Sequence, residues 1–66
     1  MSDIPSVFVV MFYIPAISDD GWYKDDVYDA KPDMTDYFRT FKKGTLYRII
    51  EYTATVAYIV EEGKIK

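Results

Sequence analysis

The sequence contains no cysteine and no histidine. The first absence removes disulfides, thiolate metal sites and cysteine nucleophiles together. The second removes the one side chain that titrates near neutrality without help. No ordinary nucleophile-and-base pair can then be assembled, short of unusual Lys or Asp chemistry. The expectation is a non-enzyme with no catalytic residue, no metal and no cofactor. Positive charge is also in deficit, with 8 Lys and Arg against 11 Asp and Glu and a net charge of −3. That balance argues against direct binding to nucleic acid. A long apolar run is missing too. Val7 to Ile14, continued by Pro15-Ala16-Ile17, falls short of the ~20 residues of a membrane helix. The only charged side chain ahead of it is Asp3, whereas a signal peptide would carry positive charge there. The reading is a soluble, cytoplasmic protein with no membrane partner.

What is present is globular: 50% apolar, 18% aromatic and 29% charged residues. The 66 residues make one small domain, 1–66. A core of that size rarely supplies more than ~3–5 kcal/mol without a staple. With no disulfide, either the core is dense in aromatics or a second chain covers part of it.

Strand signals open the chain. Ser6 to Ile14 is β-branched and aromatic, and Pro5 and Pro15 bracket it. Its two faces, Val7-Val9-Met11-Tyr13 and Phe8-Val10-Phe12-Ile14, are both apolar, as in a central strand covered on each side. Ser18-Asp19-Asp20-Gly21 signals a turn. A short helix is expected over about 34–43, with Asp33 as N-cap, Lys42 and Lys43 in the last turn and Gly44 as the stop. A meander follows: Thr45–Tyr52, a bend near Thr53-Ala54, and Thr55–Val60. Glu61-Glu62-Gly63-Lys64 then reads as a tight turn, with Lys64-Ile65-Lys66 as a short edge strand. The expected fold is α+β: one short helix on a three- to four-stranded antiparallel sheet, in the order β-α-β-β.

Charge is distributed unevenly. Residues 18–36 hold seven aspartates and two lysines, which leaves this segment at −5 and the rest of the chain at +2. The aspartates do not fit a calcium loop. The twelfth position counted from Asp20 is Lys31, and from Asp19 it is Ala30, where a bidentate Glu is required. Two readings remain. The aspartates serve turns, a cap and solubility; or, spaced among aromatics, they mimic nucleic acid and occupy a basic channel on another protein. The second reading makes Asp19, Asp20, Trp22, Tyr23, Asp25, Asp26, Tyr28 and Asp29 the partner-binding residues. The basic group Arg39, Lys42, Lys43 and Arg48 reads mainly as dipole complementation and a solvated helix face. Small base-stacking barrels are a poor match, because their aromatic motifs are absent and the net charge has the wrong sign.

One helix cannot cover both apolar faces of the sheet. Tyr47, Ile49, Ala57 and Ile59 are therefore a second expected interface, covered by a homodimer partner, by another protein, or internally by Trp22, Tyr23 and Tyr28 folding back.

A strand, a short helix and the closing stretch GTLYRIIEYTATVAYIVEEGKIK, in a small chain without Cys or His, resemble the small early proteins of bacteriophages. That group includes RNA-polymerase inhibitors and anti-CRISPR proteins with one helix on an antiparallel sheet. The resemblance spans residues 6–66 at the level of architecture and carries over no functional residue. It implies a non-enzymatic inhibitor that binds one host nucleic-acid-handling protein in the host cytoplasm. The alternative from the residues alone is a structural or assembly module that self-associates through its apolar sheet face.

Overall fold

The β-branched and aromatic run near the N-terminus forms strand β1 (Val7–Tyr13) in the computed structural model, which describes residues 6–17 and 19–66. Pro5, Asp3 and Ser18, which entered the sequence reading, lie outside the described residues. The other elements are β2 (Trp22–Tyr28), α1 (Thr35–Thr40), β3 (Leu46–Tyr52) and β4 (Ala57–Lys64). The strands form one antiparallel sheet in the order β2-β1-β3-β4. β1 is central, as its two apolar faces require.

The element order is therefore β-β-α-β-β, and the expected β-α-β-β is corrected. The acidic segment is an edge strand and not a loop folded over the sheet. Asp is depleted in strands, which conceals this one in the sequence. An edge position and a bulge admit it: Val10 pairs with Asp26 and Met11 with Lys24, so Asp25 is the extra residue. The turn before β2 closes on Gly21, whose φ is +85°. A Cβ there would stand 2.4 Å from the Tyr13 ring, so both conformation and space demand glycine.

The helix is shorter than expected at both ends. The N-cap is Met34 and not the expected Asp33; Asp33 lies one residue further out and accepts hydrogen bonds from the Thr35 amide (2.9 Å) and hydroxyl (2.7 Å). These hold its carboxyl below the usual carboxylate range. At the other end Phe41 turns extended, with φ −95° and ψ 155°. That turn stacks its ring on Phe12 at 3.9 Å between centroids. Lys42 and Lys43 thus fall outside the helix, and Arg39 occupies its last turn, 2.9 Å from Asp36. Gly44, at φ +90°, ends the loop and not the helix.

The closing hairpin is also corrected. Glu61-Glu62-Gly63-Lys64 is no turn; it continues β4, and residues 64–66 form no separate strand. Ile49 pairs with Glu61 and Ile50 with Ile59, so Val60 is an extra residue that bulges toward the core. Gly63 lies opposite Tyr47, where a Cβ would come within 3.3 Å of the hydroxyl. Its role is to make room for a ring rather than to bend the chain. Ile65 is buried, and its N–H donates to the Thr45 carbonyl at 2.8 Å. The expected bend at residues 53–56 is present. There the Thr53 hydroxyl accepts from the Val56 amide at 3.1 Å.

The core lies between α1 and one sheet face. Val10, Phe12, Met34, Tyr47, Ile49 and Ile65 form it, with Phe8, Ile14, Tyr28, Tyr37, Phe38, Phe41 and Val60 packed against it. Directly opposite strand residues share a face. Val7, Val9, Met11 and Tyr13 therefore point to the other side of the sheet, away from the helix.

Candidate partner-binding surface

Registers of the four strands place the residues of this second face in cross-strand rows. At one end Trp22 pairs with Tyr13 and Leu46 with Lys64, and Lys24, Met11, Arg48 and Glu62 form the next row. Val27, Val9, Ile50 and Ile59 follow, and then Val7, Tyr52 and Ala57. Val9, at the centre of this face, is buried. Around it Val7, Tyr13, Val27, Leu46, Tyr52 and Ile59 remain between 38% and 50% exposed. No described element packs over them.

One corner of the face is organised. The Arg48 guanidinium lies over the Trp22 ring, 4.0 Å from its centroid, and Tyr13 meets the same indole edge-on at 5.3 Å. A cation so placed is attracted by the ring quadrupole. The Arg48 Nε is buried and has no hydrogen-bond partner among the described residues. A buried donor left unmade costs about 1–3 kcal/mol. Beside this stack is a shallow cavity of about 270 Å³ lined by Trp22, Leu46, Tyr47, Glu62, Gly63 and Lys64.

The eight residues expected to bind a partner are not brought together. Trp22 belongs to the open face. Asp25 and Tyr28 are engaged on the helix side, where the Tyr37 hydroxyl donates to Asp25 Oδ2 at 2.9 Å and meets the Tyr28 hydroxyl. Burial, then the Tyr28 and Asp25 hydrogen bonds, push the Tyr37 hydroxyl far up from its ordinary value. Asp20 accepts from the Trp22 amide at 2.9 Å and shapes the turn. Asp26 accepts from the Val27 amide at 2.8 Å. Asp19, Tyr23, Asp26 and Asp29 are exposed along β2 and its two ends.

The second expected interface divides across the sheet. Ala57 and Ile59 lie on the open face, but Tyr47 and Ile49 are buried beneath the helix. The helix chose the Phe12-Ile49 face because Phe41, Phe38 and Met34 pack there. The basic group also disperses: Arg39 pairs with Asp36 on the helix, Lys42 and Lys43 are exposed in the following loop, and Arg48 is on the opposite sheet face. Arg48, Leu46, Glu62 and Lys64 were not singled out as a site. Strict alternation through Leu46, Arg48 and Ile50 is the signal that places Arg48 on the open face.

No three His, Cys, Asp or Glu side chains converge as a metal cage among the described residues. Among the described residues no helix is long and apolar enough to cross a membrane. Tyr47, desolvated and bonded to Glu61, has its hydroxyl pushed up to about 12. No protein family, no curated protein and no solved structure matches this chain.

Proposed function

We propose that this chain is a non-enzymatic binding protein, an inhibitor of the phage type its sequence resembles, that docks on a host nucleic-acid-handling protein. The observation that carries this reading is the open sheet face. β1 is apolar on both sides, yet the helix covers only one. A contiguous apolar patch of a few hundred Å² on a small protein usually marks an interaction site.

The face measures roughly 20 by 23 Å from strand spacing and rise. That is roughly 450 Å² in projection, against about 800 Å² per partner in a standard interface. Asp19 and Asp29, at the two ends of the β2 edge, border the face and extend the contact, while Asp26, opposite Val10, lies on the helix side of that edge. Its charge suits a basic groove and would speed encounter more than it tightens binding.

The test is capture from bacterial lysate with three forms of the chain: unaltered, Leu46→Asp/Ile59→Asp, and Asp19→Asn/Asp26→Asn/Asp29→Asn. A host protein held near one-to-one should be lost from the first variant, while circular dichroism stays unchanged. The second variant should retain it with a weaker salt dependence. Absence of any partner, with a doubled mass in solution, would instead support self-association through the same face.

A further inference from the structure

We infer that the Trp22–Arg48 corner of the open face takes an acidic, apolar-anchored segment of the partner protein. An aliphatic or aromatic side chain sits in the cavity, and a neighbouring carboxylate reaches Arg48 and Lys64. This inference rests on the reading above that the open face is the contact surface.

The cavity is lined by Trp22, Leu46, Tyr47 and Gly63 together with Glu62 and Lys64, and its surface is almost wholly apolar. At about 270 Å³ it lies below the ~300 Å³ low end of small-molecule sites, and it suits a side chain of a larger partner. Stacking on Trp22 holds the Arg48 guanidinium in place, and among the described residues it forms no ion pair. Glu62 stands opposite Arg48 in the register without a salt bridge to it. A planar donor fork held ready beside an apolar hole matches a carboxylate flanking an apolar anchor.

Charge chooses among the occupants. The face carries Lys24, Arg48 and Lys64 against Glu62 alone, so it is positive on a chain whose net charge is −3. A second copy would oppose three cations with three more. An acidic partner surface is complementary. Nucleic acid is also anionic, but Arg48 already occupies one face of the single tryptophan, where a base would stack.

The test uses two synthetic peptides with Leu and Phe at alternate positions, one with Asp and Glu between them and one with Lys. Trp22 fluorescence reports binding, with oligo(dT) and solution mass as controls. The acidic peptide should give a saturable change, weakened at least tenfold by Lys24→Glu/Lys64→Glu. Both lysines are exposed, so this variant should keep the fold. A Leu/Phe→Ala version of the acidic peptide should lose binding as well. The inference is overturned if the basic peptide or oligo(dT) binds equally well, or if the acidic peptide does not bind. It is also overturned if the lysine variant binds unchanged, or if the unaltered chain is a dimer with the corner closed. Loss of the captured host protein from Leu46→Asp/Ile59→Asp, with no acidic-peptide binding, would reject this inference and leave the open-face reading standing.

Discussion

Ile49 and Ile59 are ten residues apart in one hairpin and face opposite ways. Ile49 is fully buried under the helix, whereas Ile59 is 47% exposed. Ile49→Asp should therefore unfold the chain, because an unpaired carboxylate in the core outweighs a total stability of ~3–5 kcal/mol. Ile59→Asp should change the urea midpoint by less than about 0.5 kcal/mol equivalent. Tyr47 and Glu61 make a second residue-scale prediction. Hydrogen bonds from Lys31 (2.7 Å) and Tyr47 (2.8 Å) hold the Glu61 carboxyl below its usual range. A lowered folded value means that this stabilisation is complete above the unfolded carboxylate range and is lost as pH falls below it. Tyr47 has the opposite sign: raised to about 12, it stabilises below pH ~10 and loses that contribution as pH climbs toward 12. Urea midpoints against pH should fall at both ends. Glu61→Gln should make the acid limb shallower, and Tyr47→Phe the alkaline one, with the Tyr37 share of the alkaline limb persisting.

At the scale of elements, the turn into β2 depends on one residue. Gly21→Ala would place a methyl group against the Tyr13 ring at a positive φ. The expected cost is about 2 kcal/mol or more, read from thermal or urea unfolding. The backbone strain alone is ~1–2 kcal/mol. This strand is also where sequence and structure part. β1 and β3 were legible because Val, Ile, Phe and Tyr run without interruption through their centres. β2 was not, because Lys24-Asp25-Asp26 interrupts its aromatics, and only pairing with β1 makes a bulged edge strand worthwhile. The end of β4 was misread because Gly63 has two uses in proteins, bending a chain or leaving room for a neighbour. Only the position of the Tyr47 ring distinguishes them. Of the candidate site, the existence of an uncovered apolar face was legible from β1. Its membership was not, since the helix could have packed on either side, and Arg48 was grouped with helix cations that it never meets.

The whole molecule is a thin slab, 43 × 27 × 15 Å, with a helix on one side of a sheet and an aromatic, cationic face on the other. Its centre is seven consecutive residues, Val-Phe-Val-Val-Met-Phe-Tyr, with no charge and no proline. Segments of that kind stack readily into cross-β fibrils once exposed. In the folded chain β2 and β3 hold both edges of this segment. The aspartates of β2 add a repulsive guard at the sheet edge. Acid weakens the Glu61 contacts and so loosens the sheet. Incubation near pH 3 should then yield thioflavin-positive fibrils seeded by residues 7–13, and Val9→Lys or Met11→Lys should suppress them. The strand that holds the sheet together is, once released, the segment most able to assemble with copies of itself.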